Sequence, residues 1–354
     1  MKTDINTVPH RRYNILTGEW ILVSPQRTKR PWQGKRDKNI VLPQVVYDEN
    51  CYLCPGNTRA SGPKNANYDS TYSFTNDFSA ILPEIESSTV ENGFLIAKTE
   101  TGKCKVICFS PNHSLTLPIM SIKEIAAVVR LWIQEYFSLA MDPTINHVQI
   151  FENKGATMGC SNPHPHGQIW SQSSIPTEVL KKQQNQKKYW NTHNKSLLQD
   201  YINQELDLDK RIIYTNEHFV VLAPYWAIWP YETMIVPKKH YAHIGCLNNE
   251  EQIAFAESIK VITTKYDNLF ETSFPYSAGI HQSPTDGTNH DEWHFHMSFY
   301  PPLLRSAEVK KFMVGYEMFA DPQRDITVEQ AVETLKKLPV EHYSLSTKSN
   351  TLLQ

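Results

Sequence analysis

The sequence has almost no excess charge of either sign, and it has no long apolar run. Its 35 basic and 37 acidic residues leave a formal charge of −2, so it has no general attraction to nucleic acid or to an anionic membrane. No segment is apolar for long enough to span a bilayer, and residues 1–6 lack the apolar run that begins a signal peptide. The sequence therefore predicts a cytoplasmic protein whose partners are small molecules, with no nucleic acid and no membrane among them.

Cysteine is also sparse, with six residues in a chain of 354. Cys51 and Cys54 form a C-x2-C pair, whereas the other four are scattered. In a reducing compartment these side chains are thiols or metal ligands, which excludes a disulfide framework. The length and the 40% hydrophobic content suffice for a large core, either as two domains or as one duplicated unit.

The two halves of the sequence repeat one order of elements: strand, strand, helix, strand, strand. Residues 75–83 resemble residues 215–224 as a turn that enters a strand. The matching histidines are His113 and His240 after the second strands, followed by the pairs His164 with His166 and His294 with His296. This order predicts an α+β fold built twice, mainly antiparallel sheet with flanking helices, and we take 1–175 and 176–354 as the two units.

Capping signals mark the helices. The predicted N-caps are Ser121, Asn249 and Thr327, each with Glu or Gln three residues later. Residues 178–205 are polar and rich in Lys and Gln, and we expect them to form a helical connector between the two halves.

The most informative stretch is residues 161–168, where His164, His166 and Gln168 fall at every second position. In an extended segment these three side chains project to the same side. A lone His-x-His on a strand is usually surface decoration, but Pro163 and Pro165 argue against that interpretation, because each removes a hydrogen-bond donor from the ladder. Neutral imidazole is both a metal ligand and a nucleophile, so the two histidines can divide these roles.

Cys51 and Cys54 have the spacing of a zinc knuckle. A redox pair would open a helix after a strand, which the following Pro55 and Gly56 disfavour. Two thiolates leave a tetrahedral site half filled, and His113 and His164 are the candidates for the other two positions. The sequence therefore predicts a structural Zn²⁺ site.

With His164 on the metal, His166 is held two residues away from a fixed backbone and is aimed as a nucleophile. Imidazole has an ordinary pKa of about 6.5, so it can attack phosphorus near neutral pH without a separate base. The amide of Gln168 can donate to a phosphate oxygen. Further candidates near the phosphates are Arg27, Arg30, Asn153 and Ser161.

These residues resemble the galactose-1-phosphate uridylyltransferase family of the histidine-triad superfamily. The similarity runs nearly end to end, through residues 10–14, 20–25, 161–168, 300–306 and 311–318. It implies two histidine-triad-like units and a ping-pong exchange of UMP between UDP-glucose and galactose 1-phosphate. The UMP group would be carried as uridylyl-histidine on His166.

The resemblance also implies roles for other residues. It places zinc on Cys51, Cys54, His113 and His164. It assigns the uridylyl group to Arg27, Arg30, Asn76, Asp77, Asn153, Ser161 and Gln168. It assigns sugar contacts to Lys311, Phe312, Tyr316, Glu317 and Gln323, across the interface of an expected homodimer.

Some members of this family carry a second, iron-type site near the C-terminal His-x-His. His281 and His296 match its pattern, but Lys182 and Ser298 stand where the family has a glutamate and a further histidine. A cation is disfavoured beside a lysine, and two imidazoles alone make a poor site. We predict that this second metal is absent or weakly bound, although His290 or His294 could serve as local substitutes for the missing ligands.

Other functions use the same motif. A nucleotide hydrolase or phosphorylase of the superfamily would pass the nucleotidyl group from His166 to water or to phosphate, and an adenylyltransferase would differ mainly in the base pocket. A zinc-stabilised nucleotide-binding module would give His166 no role. Gln168 and the segment 311–317 favour a sugar-phosphate acceptor.

Overall fold

The computed structural model describes residues 4–29 and 45–345, so Arg30 lies outside the described residues. The strands are β1 (His10–Tyr13), β2 (Trp20–Val23), β3 (Tyr72–Thr75), β4 (Thr89–Asn92), β5 (Leu95–Lys98), β6 (Gly102–Cys108), β7 (His147–Lys154), β8 (His166–Gln172), β9 (Ile212–Thr215), β10 (Phe219–Leu222), β11 (Thr233–Pro237), β12 (Tyr276–His281), β13 (His296–Tyr300), β14 (Leu303–Ser306), β15 (Val309–Lys310) and β16 (Gln323–Arg324). The α-helices are α1 (Ile122–Ala140), α2 (Thr177–His193), α3 (Leu197–Leu208), α4 (Asn249–Phe270), α5 (Tyr316–Phe319) and α6 (Val328–Lys337).

One large sheet joins the two halves of the chain. Its strand order is β3-β6-β8-β7-β12-β13-β11-β10-β9, and the neighbours are antiparallel. The first four strands come from the first half and the other five from the second, so the halves meet where β7 pairs with β12, with Asn153 opposite Ser277. The predicted α+β fold with a duplicated, mainly antiparallel unit is confirmed.

Helices α1 and α4 cover one face of this sheet. Trp132 of α1 and Phe255 of α4 belong to the same buried cluster as the inward residues of the central strands, including Ile169 and Ile280. The two faces of β8 differ as strand geometry requires, because every second residue from Gly167 is buried and the residues between are half-buried. The face opposite the helices therefore carries the polar side chains.

The helix ends follow the capping signals closely. The capping boxes predicted at Ser121 and Thr327 are confirmed. Helix α4 begins one residue earlier than predicted, because Asn248 rather than Asn249 exchanges hydrogen bonds with Glu251. The connector between the halves is two helices, α2 and α3, rather than one, because Asn194 takes a left-handed conformation that ends α2.

A buried ion network ties the N-terminal strand to the C-terminal helix. Arg12 of β1 is buried and donates to both carboxylate oxygens of Glu329 at 2.9 and 3.1 Å. Arg211 bridges Glu329 at 2.9 Å and Glu205 at 2.8 Å. This network supports the small sheet β1-β2-β16, in which β16 runs parallel to β2.

Replacing Glu329 with Gln is expected to weaken the acid sensitivity of the fold. Burial opposes ionisation of Glu329, but hydrogen bonds and charge from Arg12, with Arg211, hold its pKa at about 2 instead of 4.5. Since the folded pKa is lowered, the stabilisation is complete above the ordinary pKa and is lost as pH falls toward about 2. Urea unfolding at about pH 5 and about pH 3 should show a smaller loss of stability in E329Q than in the unsubstituted protein. Parallel pH profiles would contradict this role of the network.

Among the described residues, no helix is both long enough and apolar enough to cross a membrane.

Candidate active site and metal centre

Four side chains from distant parts of the chain converge beside the large sheet. They are Cys51, Cys54, His113 and His164, all buried, with ligand atoms within 4.8 Å of one another. The Sγ of Cys54 lies 3.5 Å from the Nδ1 of each histidine. Zinc–ligand bonds of about 2.3 Å to sulfur and about 2.0–2.1 Å to nitrogen place S and N about 3.6 Å apart at a tetrahedral angle. The group could therefore hold a metal ion such as zinc.

Surrounding groups orient the ligands. The Nε2 of His164 lies 2.9 Å from the carbonyl oxygen of Ser110 and 3.2 Å from the hydroxyl of Tyr68. Tyr68 in turn donates to the carbonyl of Leu53 at 2.6 Å, so both neighbours of Nε2 present acceptor lone pairs. Nε2 therefore carries the ring proton, which leaves the Nδ1 lone pair for a metal.

Asn162 links a cysteine to the histidine motif. Its Nδ2 donates to the Sγ of Cys51 at 3.6 Å, and its Oδ1 accepts from the backbone N–H of His164 at 2.9 Å. Sequence reasoning missed Asn162 and Tyr68. The position of Asn162 two residues before His164 was the available signal, since Asn commonly accepts from the backbone two residues on.

Burial sets the charge state of this group. It raises the pKa of Cys54 to about 11 and lowers the pKa of His164 to about 4. The imidazole is therefore neutral, as a metal ligand must be, and a cation would hold the thiolates in their charged form. All six cysteines are free.

His166 is the first residue of β8 and projects from the face opposite the helices. Its Nδ1 donates to the carbonyl oxygen of His164 at 2.7 Å. This bond fixes the proton on Nδ1 and leaves the Nε2 lone pair available. Burial lowers the pKa of His166, which favours the neutral, nucleophilic imidazole.

The residue after His166 has no room for a side chain. A Cβ at Gly167 would lie 2.9 Å from the carbonyl oxygen of Phe151 and 3.0 Å from the ring of Phe109. Replacing Gly167 with Ala is therefore expected to lower the free energy of unfolding by about 1–3 kcal/mol, measured in urea. Gly279 is a matched control because the nearest atom to its Cβ would be 3.4 Å away, and G279A should change stability by only about 0.5 kcal/mol. An unchanged midpoint in G167A would contradict the close packing beneath His166.

Gln168 follows on the same face. Its Oε1 accepts from the indole N–H of Trp170 at 3.0 Å. Asn153 of β7, a further predicted phosphate contact, accepts from the hydroxyl of Ser277 at 2.7 Å. His166, Gln168 and Asn153 thus share one open face of the sheet, while Ser161 is exposed in the loop that leads into it.

Asn76 and Asp77 form the turn after β3. The side chain of Asn76 accepts from the backbone N–H of Phe78 at 2.9 Å. Asp77 lies 3.6 Å from Arg59, whose guanidinium stacks over the ring of Phe74 at 4.4 Å. Phe74 packs against the cluster that includes the two metal-site cysteines, so this turn is anchored beside the metal group.

The remaining predicted contacts form a second group near β16. Lys311 donates to Glu317 at 2.8 Å and to the carbonyl of Gln323 at 2.5 Å. Gln323 donates to Asp325 at 2.7 Å, and Asp325 also accepts from Arg27 at 3.0 Å. Phe312 and Tyr316 lie on the same segment with 58% and 51% of their surfaces exposed.

The C-terminal His-x-His repeats the geometry of the first. His296 Nδ1 donates to the carbonyl of His294 at 3.0 Å, as His166 does to His164. His294 Nε2 donates to the carbonyl of Pro237 at 2.9 Å, while its Nδ1 faces the hydroxyl of Ser196 at 3.0 Å instead of thiols. The second copy thus keeps the backbone pattern of the first, and a serine takes the place of its metal group.

The candidate residues for a second metal lie in this copy. The rings of His281 and His296 stack with centroids 4.8 Å apart, and the Nζ of Lys182 is 3.4 Å from the Nε2 of His296. Burial lowers the pKa of Lys182 to about 7. His290, named as a substitute ligand, has its ring nitrogens 2.9 Å from Asp286 and 3.2 Å from Glu292. Weak or absent metal binding at this place stays a prediction.

Sequence comparison identifies the relatives of this arrangement. A family model described as the N-terminal domain of galactose-1-phosphate uridyl transferase matches residues 1–176, and one described as its C-terminal domain matches residues 182–347. The chain belongs to the galactose-1-phosphate uridylyltransferase family. The resemblance drawn from the sequence is confirmed, and with it membership of a family of transferase enzymes.

Curated members of the galactose-1-phosphate uridylyltransferase family are similar over nearly the whole chain. The uridylyltransferase of Haemophilus influenzae is 49% identical, covering 96% of this chain and 97% of its own. That of Saccharomyces cerevisiae is 48% identical and covers 95% of this chain and 96% of its own. That of Rattus norvegicus is 46% identical and covers 96% of this chain and 90% of its own. The similarity therefore extends over both halves of the chain.

Solved structures share the fold at lower identity. A structure described as a uridylyltransferase superposes with a TM-score of 0.74 at 23% identity and covers 92% of this chain and 97% of its own. An ADP-glucose phosphorylase from Arabidopsis thaliana with bound ADP-glucose superposes with a TM-score of 0.73 at 22% identity. It covers 94% of this chain and 99% of its own. These likenesses concern the family fold alone.

Proposed function

We propose that this protein transfers UMP between UDP-glucose and galactose 1-phosphate in two steps on His166. In the first, Nε2 attacks the α-phosphorus of UDP-glucose, an N–P bond forms, and the bond to glucose 1-phosphate breaks. In the second, a phosphate oxygen of galactose 1-phosphate attacks the same phosphorus, the N–P bond breaks, and UDP-galactose leaves. The supporting observation is the hydrogen bond from His166 Nδ1 to the carbonyl of His164, which leaves Nε2 as a neutral nucleophile.

The residues around His166 suit a nucleotide phosphate. The Nε2 group of Gln168 donates to a non-bridging oxygen of the α-phosphate, where negative charge builds up in the transition state. Asn153 and the exposed Ser161 add polar contacts from the neighbouring strand and loop. We assign the rest of the uridylyl group to Asn76, Asp77, Arg27 and Arg30.

We further propose that zinc occupies the site formed by Cys51, Cys54, His113 and His164. Zinc bound there would have a structural role, and it would hold the ring of His164 in place. Because His166 donates to the carbonyl of that same residue, fixing His164 fixes the direction of the nucleophile as well. Free thiols at this site suit a cytoplasmic enzyme.

Sugar contacts are proposed for Lys311, Phe312, Tyr316, Glu317 and Gln323, in a homodimer. The exposed rings of Phe312 and Tyr316 support an arrangement in which this segment is covered by a second copy, since apolar surface favours association. Coexpressed H166N and Y316A chains test it. Recovery of activity in the mixed dimer supports a shared site, whereas two inactive sites would refute it.

Product analysis separates this function from its alternatives. With UDP-glucose and galactose 1-phosphate, we expect equal amounts of glucose 1-phosphate and UDP-galactose. Release of UMP at the same rate with or without galactose 1-phosphate would indicate a hydrolase. Formation of UDP only when inorganic phosphate is added would indicate a phosphorylase, and faster turnover of ADP-glucose than of UDP-glucose would indicate an adenylyltransferase.

A further inference from the structure

Trp170 lies two residues beyond Gln168 on the open face of β8, and it has no role in the chemistry proposed above. Its indole N–H donates to Gln168 Oε1 at 3.0 Å. An indole N–H can only donate, so the atom of the Gln168 amide that it meets has to be the oxygen. The hydrogen bond from Trp170 therefore fixes which way the Gln168 amide faces: Oε1 points to the indole, and Nε2 points away from it.

The Nε2 group of Gln168 keeps its N–H donors available. Among the described residues, none accepts a hydrogen bond from Gln168 Nε2, whereas Oε1 is engaged by Trp170. A glutamine amide has nearly the same shape when it rotates by half a turn. Without the indole, the amide would present its carbonyl oxygen to a phosphate oxygen in part of the population, and two acceptors repel.

The ring of Trp170 is itself held in place. Phe151 of β7 packs edge-on against it, with ring centroids 5.7 Å apart and an interplanar angle of 77°. In the strand register Phe151 stands opposite Gln168, and Gln149 stands opposite Trp170. Gln149 donates to the backbone carbonyls of Ile150 and Ile280, so its amide is committed to the sheet.

We propose that Trp170 is a positioning residue that orients the Gln168 amide so that its N–H groups face the phosphate undergoing transfer. This inference rests on the proposed function, because it needs Gln168 to contact the α-phosphate. Trp170 acts through Gln168 and does not itself touch the reacting atoms. Its effect therefore has to disappear when Gln168 is absent.

The test is a double-mutant cycle with W170F, Q168A and W170F/Q168A. Phenylalanine keeps a ring against Phe151 and removes the N–H. We expect W170F to lower the first-turnover rate of uridylyl adduct formation from UDP-glucose by about 3- to 10-fold, the range of one neutral hydrogen bond, with KM within about twofold. In the Q168A background the same substitution should change the rate by less than about twofold. Equal losses in both backgrounds would overturn the inference.

Trp293 offers a matched control for the change from Trp to Phe. It is fully buried, and its indole N–H has no hydrogen-bond partner in the described structure. W293F should keep the adduct rate per folded molecule, and a loss as large as that of W170F would overturn the inference. If the unsubstituted protein forms no adduct, the proposed function fails. If it forms the adduct and W170F is as fast, the positioning of Gln168 fails alone.

Discussion

Replacing His166 with Asn is expected to abolish uridylyl transfer, with a fall in kcat/KM of about 10⁴-fold or more. Asparagine keeps a polar side chain on β8 but has no nucleophilic nitrogen. Among the described residues, no other nucleophile occupies the position of His166 on this strand. The exchange of UMP from UDP-glucose to galactose 1-phosphate measures the loss. Because His166 is at the edge of the open face and not in the core, the unfolding midpoint should change little.

His296 is the matched control for this substitution. Its Nδ1 makes the same bond to the carbonyl two residues before it, but it is buried in the second copy beside Lys182. H296N should retain adduct formation per folded molecule. Full activity in H166N, or equal losses in both variants, would contradict the assignment of the nucleophile.

Replacing Cys54 with Ser is expected to remove the metal and to destabilise the protein strongly. Sγ of Cys54 is the atom that lies 3.5 Å from both histidine ligands, and a serine hydroxyl is a poor ligand for zinc. Since the energy of a structural zinc site contributes to folding, we expect the unfolding temperature to fall by about 10 °C or more. Elemental analysis and thermal unfolding of the purified variant measure the two effects.

Cys246 is the control, because it is exposed and lies outside the metal group. C246S should keep one zinc per chain and the original unfolding temperature. A strong chelator should bring the unsubstituted protein to the unfolding temperature of C54S. If C54S retains both its metal and its stability, the cysteine site is not a structural zinc centre.

The sequence allowed the polar face of β8 to be predicted, because alternation is a local property of a strand. His166 and Gln168 share a face for that reason alone. The spacing of Cys51 and Cys54 is likewise local, since a zinc knuckle closes within a few residues. Joining His113 to them required only that it follow a strand, and the structure brings it to 3.5 Å from Cys54.

Contacts between distant segments could not be predicted in the same way. Nothing local to Arg27 indicates its ion pair with Asp325, 298 positions away. The continuous sheet depends on β7 meeting β12, a pairing that neither strand specifies alone. The N-cap of α4 at Asn248 was missed for a different reason, because two asparagines are adjacent and only the exchange of hydrogen bonds with Glu251 distinguishes them.

A covalent bond between UMP and His166 is the central step of the proposed reaction. The direct measurement is the intact mass of the protein after incubation with UDP-glucose alone, followed by peptide mapping under conditions that preserve phosphoramidates. We predict a gain of one uridylyl group per chain, located on His166 and removed by galactose 1-phosphate. An active enzyme that gains no such mass, or that carries the group on another residue, would contradict it.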